Sequence, residues 1–197
     1  MLDIGPSRAT PRVVARPETI GRARYTAIDL DRRPHHRLRP PHRFRRMDAT
    51  RLGFPAGMFD VVLCNNVLPF VPDDRAILAE IRRCLKPDGV AMVDVDVQIR
   101  RTTPAARLRD AGRFTDAYIA INGSHRFYGR DYPRRLRAVG LAPLRFDPLR
   151  GLLPTFRRAH GLKVDGRVYL AFASAAAART FARAAGRGAT WSSSASR

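Results

Sequence analysis

Lysine is almost missing from this chain: Lys86 and Lys163 are the only two, and the rest of the 37 basic residues are arginine. Acidic residues number 17, leaving a formal net charge of +20. Charge of that sign gains affinity for phosphates or an anionic surface when it is clustered. With alanine and proline also frequent, the arginine reads first as compositional drift toward GC-rich codons. Cysteine is scarce too. Cys64 and Cys84 sit in apolar segments and not in a CxxC, which excludes a disulfide framework and points to two packed thiols in a reducing compartment. No window approaches the ~18 apolar residues of a membrane span, and the N-terminus lacks the charged and apolar regions of a signal peptide. A soluble, cytoplasmic protein without a membrane partner is expected.

The arginine that is present is uneven. "RRPHHRLRPPHRFRR", Arg32 to Arg46, holds seven arginines, three histidines and three prolines. It reads as an exposed, proline-broken connector. A nucleic-acid groove interleaves aromatics for stacking, and only Phe44 is offered here. His35, His36 and His42 have no Cys or carboxylate at a metal-site spacing, so no metal is expected.

Short β-branched runs alternate with helical patterns, which predicts an α/β fold with a parallel sheet. The expected strands are Met1 to Ile4, Tyr25 to Leu30, a short one at Arg43 to Met47, Phe59 to Cys64, Val90 to Val97, Leu141 to Phe146 and Arg167 to Ala173. The best-marked helix is Asp73 to Leu85. Its Ile77, Leu78, Ile81, Cys84 and Leu85 recur at helical spacing, with acids in the first turn and bases in the last; "KPDG" stops it. A second helix follows Asp131 as N-cap and ends at Gly140. Residues 98–124 read as an insertion, with a helix expected over Leu108 to Ile121. The domain is expected over 1–175. An Ala/Arg/Ser-rich tail, 176–197, is expected to fray from a helix into disorder.

In doubly wound sheets a ligand binds outside the carboxyl ends of the strands. Those positions hold Gly5-Pro6-Ser7, Asp29, Asp48-Ala49 and Asn65-Asn66. A small residue admits backbone close to a ligand, and a carboxylate ending the second strand suits a ribose diol. Together they outline a nucleoside pocket.

Over "MDATRLGFPAGMFDVVLCNNVLPFVPDDRAILAEIRRCLKPDGVAMVDV", Met47 to Val95, the chain resembles the class I S-adenosylmethionine-dependent methyltransferases, within them the small-molecule-type methyltransferase domain group. The family shows Asp-Ala-x-x-Leu-x-Phe, Phe-Asp-Val-Val, Val-Pro-Asp-Asp, x-Glu-x-x-Arg and Leu-Lys-Pro-Gly-Gly in this order. "LDIGPS" and His125 to Leu141 extend the likeness. The resemblance implies a Rossmann-like, doubly wound, mostly parallel sheet of about seven strands with the last antiparallel and helices on both faces. It implies S-adenosyl-L-methionine as cofactor and a small-molecule acceptor. Asp3, Gly5 and Ser7 would lie by the methionine part, Asp29 would accept from the ribose hydroxyls, Asp48 and the Ala49 amide would meet adenine, and Asn65 would line the pocket. His125 and Tyr128 are the candidates for contacting the acceptor. No catalytic base is named, because the donor arrives activated and the protein mainly positions the acceptor. The alternative is a basic nucleic-acid-associating or inactive domain that keeps the fold.

The chain departs from the family at Ser7 and Ala9, where further glycines are usual. It departs again at Pro69 and Phe70, where an acid and a histidine are common. Met1 falls where the family is already inside its first strand, so the covering helix that usually precedes it is expected to be lacking.

Overall fold

The computed structural model describes residues 1–7, 23–32, 38, 40–110, 123–146 and 168–184. A seven-stranded sheet forms the centre. Its strands are β1 (Leu2–Ile4), β2 (Thr26–Asp29), β3 (Arg43–Arg46), β4 (Phe59–Asn65), β5 (Leu85–Asp94), β9 (Ala142–Phe146) and β10 (Val168–Phe172), in the spatial order β3-β2-β1-β4-β5-β10-β9. The first five run parallel, and β10 lies antiparallel between β5 and β9. A small second sheet, β6 (Val97–Ile99), β8 (Arg126–Gly129) and β7 (Thr103–Pro104), spans the expected insertion and runs past it on both sides.

Helix α1 (Asp74–Cys84) forms because its apolar residues fall on one face and Asp73 caps it, accepting the Ala76 amide at 3.0 Å. Ile77, Leu78 and Ile81 are fully buried against Leu2, Ile4, Ile28, Val62 and Cys64 of the sheet. Each such side chain contributes roughly 1.5–3 kcal/mol by leaving water. Three shorter helices follow: α2 (Ala105–Asp110), α3 (Tyr132–Ala138) and α4 (Ala175–Ala184). Strand alternation sorts the faces. Along β10, Tyr169 and Ala171 join the α1 and α3 side, while Phe172 joins Leu144, Ala178 and Ala182 under α4.

Two expected boundaries differ. The strand expected over Val90 to Val97 stops at Asp94, and Val97 instead opens β6 in the small sheet. "KPDG" is not a turn before a strand but a bulge inside one. Leu85 already pairs with Phe59, and the register resumes at Val61 and Val90. Gly89 fits this bulge because a Cβ there would stand 3.1 Å from the Asp60 carbonyl oxygen. The helix expected over Leu108 to Ile121 is described only as α2, with 111–122 outside the described residues. His35, His36 and residues 185–197 also lie outside them. Among the described residues no helix is long and apolar enough to cross a membrane, and no group of three or more His, Cys, Asp or Glu is placed to hold a metal ion.

Candidate functional site

The carboxyl ends of β1, β2, β3 and β4 open into one cleft of about 550 Å³, within the size range of small-molecule sites. Gly5, Asp29, Asp48, Ala49 and Asn65 all line it, so five of the residues singled out above meet around one space. Parallel register brings them together. Leu2 to Ile4 pair with Thr26 to Ile28 and with Val62 to Cys64, which sets the three strand tips side by side. Backbone bonds fix the turns that follow: the Gly5 amide donates to the Ile28 carbonyl at 2.9 Å, and the Met47 amide to that of Asp29 at 2.9 Å.

Gly5 has a left-handed φ of 63°, and a Cβ there would stand 2.6 Å from Val67 Cγ2. A side chain is therefore excluded at the tip of β1, and backbone faces the cleft. Asn66 is also left-handed, at φ 54°, a conformation its short polar side chain tolerates. It turns the chain off β4 into a short 3-10 turn, Leu68–Phe70, so that Val67, Phe70, Val71, Pro72 and Asp73 make the facing wall.

Asp48 Oδ1 accepts both the Thr50 amide and the Thr50 hydroxyl at 2.8 Å, which fixes the carboxylate. Its other oxygen has no hydrogen bond among the described residues. Asp29 Oδ1 accepts the Asp31 amide at 3.4 Å. Leu30 and Phe70 are large apolar residues at the cleft with 59% and 45% of their surface exposed.

The other singled-out residues lie elsewhere. Asp3 is on the far side of β1 from Ile4, 2% exposed, and accepts the Tyr25 hydroxyl at 2.6 Å. Burial raises its carboxyl to about 6, against the opposing effect of that hydrogen bond. Asp3 and Ser7 do not line the cleft. His125 is exposed, and its amide donates to the Pro69 carbonyl at 2.7 Å. Tyr128 is buried, and its hydroxyl donates to Asp74 at 2.7 Å. Burial raises the Tyr128 phenol well above its ordinary value, with the Asp74 charge adding to it. Cys64 and Cys84 are free and buried, and burial raises both thiols.

Met47, Val67, Phe70 and Asp73 line the cleft without having been singled out as site residues. Position after a strand tip would have found Val67. Phe70 appeared in the sequence only as a departure from the family pattern.

A cleft at the carboxyl ends of a doubly wound sheet, with carboxylates at two neighbouring tips and a bare backbone at a third, defines a Rossmann-like cofactor-binding protein. The methyltransferase-domain family matches residues 2–93. Over those residues the chain is similar to that family, and its described fold is the seven-stranded, Rossmann-like one that solved methyltransferase structures share.

Solved structures agree on the fold. The chain is similar to one in the complex between the Trm112 methyltransferase activator of Haloferax volcanii and a proposed methyltransferase, at 19% identity and TM-score 0.59, over 88% of this chain and 81% of that one. It is similar to the 1,6-didemethyltoxoflavin-N1-methyltransferase of Burkholderia thailandensis, with bound 1,6-didemethyltoxoflavin and S-adenosylhomocysteine, at 22% identity and TM-score 0.55, covering 86% and 67%. It is also similar to the geranyl diphosphate C-methyltransferase of Streptomyces coelicolor, in complex with Mg2+, geranyl diphosphate and S-adenosylhomocysteine, at 17% and 0.57, covering 86% and 68%. No curated protein matches the sequence.

Proposed function

We propose that the chain transfers a methyl group from S-adenosylmethionine to a small-molecule acceptor. The observation that carries this is the convergence of Gly5, Asp29, Asp48, Ala49 and Asn65 on one cleft. The residues fit the cofactor. Gly5 brings bare backbone to the cleft, where a side chain would collide with Val67, Asp29 suits a ribose diol, and Asp48 has a carboxylate oxygen without a partner among the described residues, suited to an exocyclic amine. Leu30, Met47 and Val67 give apolar surface for the adenine ring. Two small-molecule methyltransferases with bound S-adenosylhomocysteine share the fold. Asp3 and Tyr128 are engaged with Tyr25 and Asp74 respectively, and Asp3 and Ser7 do not line the cleft, so the reading does not rest on them or on His125.

When bound, the cofactor supplies a methyl group on a sulfonium, already activated for in-line displacement. The chain orients it, holding the nucleoside by the carboxylates, and the wall from Val67 to Asp73 excludes water. Phe70 and Leu30 make the exposed rim apolar. An acceptor with an apolar portion fits that rim. Two free, buried cysteines suit a reducing, cytoplasmic setting.

Calorimetry with S-adenosylhomocysteine tests the reading. Binding by the native chain, weakened about tenfold or more by Asp29→Ala and by Asp48→Ala, is expected. No heat from the native chain, with both variants indistinguishable from it, refutes it.

A second reading, association with nucleic acid, rests on exposed Arg24, Arg43 and Arg45 around a second cleft of about 490 Å³ by the β3 edge. It predicts RNA retention that falls steeply between low and moderate salt. Retention that is weak at low salt excludes it.

A further inference from the structure

The wall of the cleft between β4 and α1 is held from outside its own segment. Arg126, on β8 of the small sheet, reaches across to it. Its Nη1 donates to the Leu68 carbonyl at 3.1 Å and the Val71 carbonyl at 2.7 Å, and its Nη2 donates to the Pro72 carbonyl. The neighbouring His125 amide takes the Pro69 carbonyl. Four carbonyls of a five-residue stretch thus receive donors from two adjacent residues at the start of β8. The planar fork of a guanidinium can serve three acceptors at once, which an ammonium on a flexible stem matches poorly.

Arg126 is itself anchored. Its Nη1 stands 3.8 Å from Asp74 Oδ2, in the first turn of α1. Asp74 is 3% exposed and also accepts the Tyr128 hydroxyl and Arg135 Nη1, the latter at 2.9 and 3.0 Å. The carboxylate therefore has two cationic partners with different reach. Arg126 touches the carbonyls of the cleft wall, and Arg135, on α3, shows no hydrogen bond to that wall.

We propose that Arg126 is a positioning residue. Through the Leu68, Val71 and Pro72 carbonyls it holds Phe70, Val71 and Asp73 against the cleft, so that the small sheet sets the shape of the ligand site. The ligand half of this proposal rests on the methyl-donor reading above; the wall-holding half does not.

The experiment compares Arg126→Met, Arg126→Lys and Arg135→Met in the full chain. Two quantities are measured: affinity for S-adenosylhomocysteine by calorimetry, and amide hydrogen exchange at Phe70 and Val71, whose amides bond within the segment to the Val67 and Leu68 carbonyls. Arg126→Met is expected to weaken binding about tenfold or more and to speed exchange at both amides. Arg126→Lys is expected to fall between it and the native chain. Arg135→Met loses a bond to the same buried carboxylate yet is expected to stay within about twofold on both readouts. Arg135→Met matching Arg126→Met would reduce Arg126 to a general stabiliser and overturn the proposal. Native-like binding and exchange in Arg126→Met would overturn it as well. If Arg126→Met does not fold, Arg126→Lys carries the same comparison. If the native chain takes no S-adenosylhomocysteine, the donor reading fails, and unchanged exchange at Phe70 and Val71 still sinks the wall-holding role.

Discussion

Replacing Gly5 by alanine separates two costs that the strand tip imposes at one position. The φ of 63° is left-handed, and an L side chain there costs about 1–2 kcal/mol through its clash with the following carbonyl. The new Cβ also lands 2.6 Å from Val67 Cγ2, closer than packed carbon atoms stand. Val67 is β-branched and stiff about χ1, so yielding costs it about 0.5–1.5 kcal/mol. Gly5→Ala is therefore expected to lose about 2–3 kcal/mol in urea unfolding, read as a lower midpoint at unchanged slope. Val67→Ala in the same background removes the methyl that clashes but leaves the backbone strain. The double variant should accordingly recover about 0.5–1.5 kcal/mol relative to the sum of the single changes. A native midpoint for Gly5→Ala refutes the strain. Strict additivity refutes the contact with Val67, and with it the account of why no side chain is admitted beside the cleft.

Other outcomes follow from named contacts. Asp3 carries a raised carboxyl, about 6 in the fold against 3.8 for the free group, so the folded state holds its proton more tightly than the unfolded one. The stability this gives is fully present below pH 3.8 and is lost as pH rises through about 6, by about 2–3 kcal/mol. Asp3→Asn keeps an acceptor for the Tyr25 hydroxyl and should flatten that part of the stability curve; a variant curve parallel to the native one across this window sinks the assignment. Arg83 donates to the Phe54 and Leu52 carbonyls at 2.7 and 2.8 Å, braced by Glu80. Arg83→Met should cost about 1–2 kcal/mol by thermal or chemical unfolding, the figure being held down by its partial exposure, and no loss would mean that water replaces those bonds freely.

Most strands of the main sheet were legible as short apolar runs bounded by polar or small residues, whereas β3, Arg-Phe-Arg-Arg, showed only as a short segment placed before Asp48. α1 was legible because one face carries its large apolar side chains, Ile77, Leu78 and Ile81, with Cys84. The bulge at Lys86 to Gly89 was not, because "KPDG" has the composition of a turn and only the pairing of Leu85 with Phe59 shows that the ladder resumes beyond it. The break after Asp94 was hidden for a related reason: "VAMVDVDV" alternates without interruption, and nothing local tells which of two sheets Val97 joins. Asp131 was expected to cap α3 with its side chain, but its Oδ1 accepts the Thr102 amide and hydroxyl at 2.7 and 2.9 Å, a partner 29 residues away. For the site, residues at the strand tips could be found from position alone. Asp3 and Ser7 flank a tip without facing the cleft, since alternation along β1 sends Asp3 to the opposite side from Ile4. Beyond Val67 the wall could not be found from position, because its carbonyls accept from Arg126, far along the chain.

The place of β10 in the sheet bears on how the molecule is assembled during synthesis. β10 is the last strand described, yet it lies between β5 and β9 and hydrogen-bonds to both. While the ribosome is still making residues before 168, β5 presents an open ladder edge and β9 has no neighbour in the main sheet. Such an edge is the kind that pairs with other chains. The parallel half, from β3 to β5, can form early, but the sheet closes only when Val168 to Phe172 insert. Chains stalled or cleaved just short of Val168 should therefore aggregate through β5, whatever the stability of the finished protein.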